Sequence, residues 1–306
     1  MSVPRTVVLF LAVGLLAASQ SGNLIRIGDA SPAAIAAWRL LIASLLLAPL
    51  AGARLAALKG LDRRDWLLLV LAGVALAGHF LSWIAAVQRT TVANAATFYS
   101  INPVITAVAS YFLFGERLGR RLLGSILVGL LGVAVIGGAD LRFSREHLPG
   151  DALAVLCSFL FTAYFLLGKR VREKLDNRVY VTALYFIAAV VCFGVLVALG
   201  QPVVHHSPRS WLCFGLMALV PTMIGHTSLN YALRYLPAGR IATLSLAEPL
   251  LAGVVALFAW NEPVRPQTVV GYVLICVSVV LVVLERGGAG PGRAAPDCPP
   301  ASSKSD

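Results

Sequence analysis

Charge is what this sequence has least of. Only 13% of its 306 residues are Asp, Glu, Lys or Arg, against about 25% in a soluble domain. Hydrophobic residues make up 58%, where about 45–50% is usual. A chain of this length cannot enclose that much apolar surface in a water-soluble core. A soluble globular protein, a disordered chain and a nucleic-acid-binding module are therefore excluded. Acidic residues are the scarcer sign, 14 against 25 basic, for a net charge of +11. In a membrane protein such an excess reports orientation rather than a polyanionic partner.

Several chemistries are missing as well. No GxxxxGK[ST] loop is present to cradle a nucleotide phosphate, and no HExxH pair to hold zinc. The GxSxG turn of a serine hydrolase is absent, as is a potassium-filter loop. The five cysteines form no CxxC pair. Cys157, Cys192, Cys213 and Cys276 lie in apolar stretches, and Cys298 near the C-terminus. They read as small core hydrophobes, not as disulfides or metal ligands. Nothing here implies an enzyme, a cofactor or a bound metal. Arg outnumbers Lys 21 to 4, a bias that fits a bacterial source.

Long apolar runs are what the sequence does have. A helix needs about 20 apolar residues to cross a bilayer. Ten such stretches occur, at 5–25, 32–51, 65–87, 91–114, 120–138, 150–170, 179–199, 210–233, 240–260 and 266–284. The expected fold is an all-α membrane protein of ten transmembrane helices joined by short loops. Residues 286–306, rich in Gly, Pro, Ala and Ser, read as a disordered tail. The first stretch, with Arg5 ahead of its apolar run, has some of the look of a signal peptide. It is read as a retained helix, because the repeat described next needs it. With the N-terminus placed in the cytoplasm, the cytoplasmic segments hold 18 Lys and Arg and the opposite side 6, Arg39 lying within a span. That asymmetry supports ten spans in an inner membrane with both termini and the tail cytoplasmic. Trp66, Trp211 and Trp260 fall at helix ends, where interfacial anchors belong.

The two halves resemble each other. NPVITAVASYFLFGE ends at Glu116 and EPLLAGVVALFAWNE at Glu262. An offset of 146 superposes Pro103 on Pro249, Glu116 on Glu262, Ala96 on Ala242 and Thr97 on Thr243. His79 and His226 correspond if one residue is gapped between. Each half, 1–139 and 140–285, holds five spans. An odd number sends the second half into the membrane the opposite way, giving two inverted five-helix repeats. Such repeats are common in secondary transporters.

The segments AAVQRTTVANAATFYSINPVITAVASYFLFGERL and YALRYLPAGRIATLSLAEPLLAGVVALFAWNEPV resemble the EamA branch of the drug/metabolite transporter superfamily. The likeness covers nearly the whole chain before the tail and includes Arg39, early in the second span. It implies a transporter, first of all an exporter of amino acids or related small metabolites. It also implies that the first helix of each half lines the cavity. One departure stands out: Asn102 precedes Pro103 where Glu248 precedes Pro249. A mechanism that needs two equivalent carboxylates is therefore in doubt.

Polar groups inside the spans are the candidate site. Glu248 lies well inside the ninth span. A charged carboxylate at a helix centre costs roughly 2.5–3.5 kcal/mol, so it needs a partner, a wet cavity or a proton. Proton coupling through Glu248 is one expectation; a packing role for a protonated or Arg-paired Glu248 is the alternative. Pro103 and Pro249 kink their helices and free the carbonyls of Tyr99 and Ser245. Such carbonyls must face protein or a wet cavity. Asn102, Tyr99 and Glu248 are expected beside that path. His79 with Trp83, and His226 with Asn230, share helical faces and read either as a polar-aromatic wall or as interhelical glue. Gln20, with Asn23 nearby and Tyr164 as its counterpart in the sixth span, is a further candidate contact. Arg39, Glu116 and Glu262 are read as structural charges. Small residues four apart, Gly73 with Ala77 and Ser125 with Gly129, allow close helix approach.

Together these features predict a secondary transporter of a small-molecule substrate working by alternating access in a lipid bilayer. Uptake, a sugar-nucleotide or lipid-linked cargo, and a non-transporting membrane scaffold are the alternatives. The nearly apolar fifth and tenth spans leave a homodimer open.

Overall fold

The computed structural model describes residues 4–116, 118–138, 145–259 and 265–284, without the side chains of 92 and 93. Glu262, Trp260 and the expected tail lie outside the described residues. Ten helices are long and apolar enough to cross a membrane: α1 (Arg5–Ile25), α2 (Pro32–Gly60), α3 (Arg63–Arg89), α4 (Asn94–Phe114), α5 (Arg120–Gly138), α6 (Leu148–Val171), α7 (Asn177–Ala198), α8 (Pro208–Ala232), α9 (Ala238–Ala259) and α10 (Pro266–Leu284). No strand occurs among the described residues.

The helix starts are written locally. Ser31, Asp62, Thr91, Asp176 and Ser207 each accept a hydrogen bond from a backbone N–H of the helix they precede. Side-chain oxygens at that position satisfy donors that the first helical turn leaves unpaired. Pro32 and Pro208 follow two of these caps, where a missing N–H costs nothing. α2 runs longer than its apolar stretch suggests, because Gly52–Gly60 winds on as a 3₁₀ helix after a left-handed Gly52 (φ 50°).

Packing follows the repeat. α3 lies on α6 and α8 on α1; α2 pairs with α7, α4 with α9 and α5 with α10; α3 touches α7 as α2 touches α8. Exchanging each helix of the first five for its counterpart in the second five leaves this pattern unchanged. The α5–α10 seam shows the symmetry at atomic scale. Ser125 and Ser278 each donate a hydroxyl to the other's carbonyl, at 2.9 and 2.8 Å. A Cβ built on Gly132 would lie 2.9 Å from the Gly271 oxygen, and one on Gly271 2.7 Å from the Gly132 oxygen. The offset of 146 carries Ser125 onto Gly271 and Gly132 onto Ser278. The serine pair and the glycine pair are thus the same contact seen from the two halves.

Prolines inside helices leave a carbonyl four residues back without its donor, and at Pro221, Pro103 and Pro249 a nearby group takes it. In α8, Pro221 lies in a widened π-helical stretch, Ala218–His226. The Thr222 hydroxyl donates to the freed Met217 carbonyl at 2.8 Å. In α4, Ser158 of α6 donates to the Tyr99 carbonyl at 2.8 Å. In α9, a 3₁₀ turn at Ser245–Ala247 lets the Glu248 N–H reach the Ser245 carbonyl. α4 and α9 are therefore each broken in mid-span. Asn102 and Glu248 begin the second segments, Asn102–Phe114 and Glu248–Ala259.

Candidate functional site

The broken helices line a cavity of about 490 Å³. From α4 come Ala96, Tyr99, Ser100, Asn102 and Pro103; from α9 come Ala242, Ser245, Leu246, Glu248 and Pro249. Each α9 residue is its α4 counterpart displaced by 146, so the two halves present the same register. Trp83 of α3, Ser19, Asn23 and Arg26 of the first helix and its end, and Tyr272 of α10 complete much of the polar and aromatic lining. The lining runs from mid-span toward the face where α1 ends, called here the far face.

Glu248 is half-buried at the start of its helical segment, where the positive end of the helix dipole favours a negative charge. Ser245 adjoins it on the same wall, its hydroxyl donating to the Ile241 carbonyl at 3.4 Å. Across from it, Asn102 is buried and donates Nδ2 to the Ser158 carbonyl at 3.3 Å. The Trp83 and Tyr99 rings stand 5.3 Å apart at 56°. Asn23 ties α1 to α9 by donating Nδ2 to the Ala252 carbonyl at 3.1 Å.

The histidines sit elsewhere than on the lining. His79 and His226 meet across the two halves, with ring centroids 5.9 Å apart. His79 contacts the Cys157 carbonyl and sulfur through Nδ1, at 3.2 and 3.1 Å. His226 Nδ1 pairs with the Tyr164 hydroxyl at 3.1 Å. Asn230 donates to the His226 carbonyl at 2.8 Å. Of the two readings open for these groups, this arrangement matches interhelical hydrogen bonding behind the cavity wall. Gln20 is likewise absent from the lining and bonds to Leu16, Ser19 and Asn23. The candidates gathered at the cavity are Glu248, Asn102, Tyr99, Trp83, Pro103 and Pro249.

Arg39 is fully buried (0% exposed). Its Nε donates to the Thr222 hydroxyl at 2.9 Å, and its guanidinium lies 4.0 Å from the Phe80 ring centroid. Thr222 thus bridges Arg39 to the carbonyl that Pro221 frees.

The opposite, N-terminal face is closed. Glu116, at the end of α4, forms an ion pair with Lys169 of α6 and accepts from the Ala238 N–H at the start of α9, at 3.4 Å. A Cβ on Gly239 would lie 3.3 Å from the Cβ of Ala107. Thr106 and Thr162 share a hydrogen bond of 2.8 Å.

The halves differ in one respect. Ala252, Gly253 and Ala256 of α9 line the cavity. Their counterparts at the same offset, Thr106, Ala107 and Ser110 of α4, are buried at 0, 2 and 0% exposure. The Ser110 hydroxyl is buried without a hydrogen-bond partner. The second segment of α4 packs on the first segment of α9; in the mirror position the cavity takes the place of that packing.

A family model described as the EamA-like transporter family matches residues 5–138 and again 148–284. The chain belongs to the EamA-like transporter family. Two uncharacterized transporters of Archaeoglobus fulgidus are similar to it. One is 25% identical over 289 residues, 91% of this chain and 97% of its own. The other is 28% identical over 200 residues, 65% of this chain and 70% of its own. The aromatic amino acid exporter YddG of Ancylobacter novellus is 24% identical over 200 residues, 64% of this chain and 69% of its own. A crystal structure at 20% identity superposes with a TM-score of 0.79 over 92% of this chain and 97% of that one, a likeness of fold. An EamA-like transporter is an integral membrane protein, and the double match falls on the two five-helix halves.

Tyr272 and Arg26 were not singled out from the sequence as cavity residues, and Ser245 only for its freed carbonyl. The signal for Tyr272 is faint: it is the aromatic residue of an otherwise aliphatic α10, and its hydroxyl occupies the space a Cβ on Gly253 would need. Cys157 gave no signal beyond a small apolar residue.

Proposed function

We propose that this protein is a secondary transporter that exports small metabolites by alternating access through the cavity, with amino acids and related compounds as the first candidates. The observation that carries the reading is the unequal burial of equivalent residues. Ala252 and Gly253 line an open path while Thr106 and Ala107 are packed away. Two halves of like sequence adopt two different arrangements at once. Exchange of the arrangements closes the far face and opens the N-terminal one around Glu248 and Asn102. That exchange is the motion an inverted repeat permits.

The distribution of Lys and Arg supports an inner-membrane location with the N-terminus cytoplasmic, so the cavity described here faces the periplasm. The name of the Ancylobacter novellus relative supports an amino-acid-like cargo. A carboxylate at mid-span in the path supports coupling to protons, Glu248 exchanging a proton for cargo.

The test is flux in inverted membrane vesicles with an inside-acid gradient. A labelled panel of amino acids, amines, sugars and nucleosides is screened with the wild type and with Glu248→Gln, which keeps shape and hydrogen bonding but cannot titrate. Saturable, gradient-dependent accumulation that the variant loses is expected. Accumulation indifferent to both the gradient and the substitution would remove proton coupling. No flux for any compound with correctly inserted protein would count against transport.

A further inference from the structure

The cavity has a polarity that narrows its cargo. At mid-span its charged side chain is Glu248, with Asn102 and Ser245 beside it. Trp83 and Tyr99 supply aromatic faces, and much of the remaining wall is Ala, Val, Ile, Leu and Pro. Among the described residues no Lys, Arg or His forms an ion pair with Glu248. A carboxylate in such surroundings is stabilised by whatever cation enters, and aromatic faces attract the same cations through their quadrupoles. A ligand carboxylate brought to Glu248 would meet repulsion; the cation on the lining, Arg26, stands at the end of α1 toward the far face. The volume of about 490 Å³ falls within the range of about 300–1,000 Å³ typical of small-molecule sites.

We infer that the cavity recognises a protonated amine on an apolar or aromatic body, with the ammonium seated at Glu248 against Trp83 and Tyr99, and that a carboxylate on the cargo is not required for binding. The inference deepens the transport reading and rests on the same cavity. It sets the substrate class as amines, in which amino acids are included by their ammonium group and decarboxylated amino acids are favoured. Ser245 and Asn102 flank the site, the Asn102 amide being held to the Ser158 carbonyl.

The experiment is equilibrium binding to the purified full chain in lipid nanodiscs, read by calorimetry, with no flux involved. The probes are 2-phenylethylamine, phenylacetate, 2-phenylethanol and phenylalanine, which share one ring and differ in charge. The expected order places the amine at least tenfold tighter than the alcohol, and the alcohol tighter than phenylacetate. Glu248→Gln is expected to bring the amine down to the level of the alcohol and leave the alcohol unchanged. Glu248→Asp, which keeps the charge, is expected to retain the amine preference and guards against a folding artefact. Phenylacetate binding as well as the amine would overturn the inference. So would phenylalanine binding while the amine does not, or amine affinity untouched in a folded Glu248→Gln protein. Amine binding without vesicle flux would count against transport and leave the amine site standing.

Discussion

The α5–α10 seam offers the sharpest energetic test of the fold. A methyl group added at Gly132 would sit 2.9 Å from the Gly271 carbonyl oxygen, 2.9 Å from Ile275 Cγ1 and 3.1 Å from the Ile275 nitrogen. Carbon–oxygen contacts are comfortable at about 3.3–3.6 Å and carbon–carbon contacts at about 3.5–4.0 Å. Two of the three obstacles are backbone atoms, so no side chain can swing aside. The helices would have to part by about 0.5 Å along a close-packed stripe. Overpacking of this kind costs about 1–3 kcal/mol. Replacing Gly by Ala also favours the helix, by up to about 1 kcal/mol. Gly124, on the same helix, has nothing within 4 Å of a built Cβ. Comparing Gly132→Ala with Gly124→Ala therefore cancels the helix preference and isolates the contact. The difference should be about 1–3 kcal/mol, read as the gap between the two variants in reversible unfolding in mixed micelles. Equal stability would refute the close backbone approach, and with it the two-fold pairing of glycines and serines.

Other predictions follow from contacts elsewhere in the bundle. Arg39→Lys should destabilise, because an ammonium loses both the planar stacking on Phe80 and the guanidinium geometry. Arg39→Met should be closer to neutral, since replacing a buried charge by an apolar residue of similar volume often is. Thermal midpoints of both variants check the order. Ser158→Ala should cost about 1–2 kcal/mol by leaving the Tyr99 carbonyl without its hydroxyl donor. Adding Pro103→Ala restores a backbone N–H for that carbonyl, so the pair should be less destabilised than the sum of the singles; strict additivity would contradict the assignment. Glu116→Gln should loosen the N-terminal face by about 1 kcal/mol, a several-fold shift in the balance of the two states. A maleimide probe at Ser110→Cys should then react faster from the cytoplasmic side, and an unchanged rate would count against Glu116 as a tie.

Much of this structure is legible in the sequence because a bilayer imposes a simple rule. Apolar runs of about 20 residues mark spans, and every span lies where its run does. Polar residues inside those runs stand out for the same reason, which is why Glu248, Asn102, Tyr99 and Trp83 could be found. The 3₁₀ extension after Gly52 and the π-helical stretch around Pro221 were not legible. Both are local adjustments of hydrogen bonding that hydropathy does not register. The role of the histidines stayed open, because the pattern placed them on helical faces without saying which neighbours those faces meet. Cys157 and Tyr164 become their partners only in three dimensions. Tyr272 escaped because the tenth span as a whole reads as nearly apolar. The side to which the cavity opens lay beyond any sequence reading, since two matching halves encode both arrangements equally.

Transport by alternating access requires the N-terminal face to open. Ala107 and Gly239 are placed to test it, their Cβ positions being 3.3 Å apart where a disulfide needs about 3.5–4.5 Å. In a chain whose native cysteines are replaced, Ala107→Cys with Gly239→Cys should form a cross-link under oxidation. The cross-linked protein is expected to bind ligand still from the far face, to show no vesicle flux, and to recover flux on reduction. Undiminished flux through fully cross-linked protein would contradict alternating access.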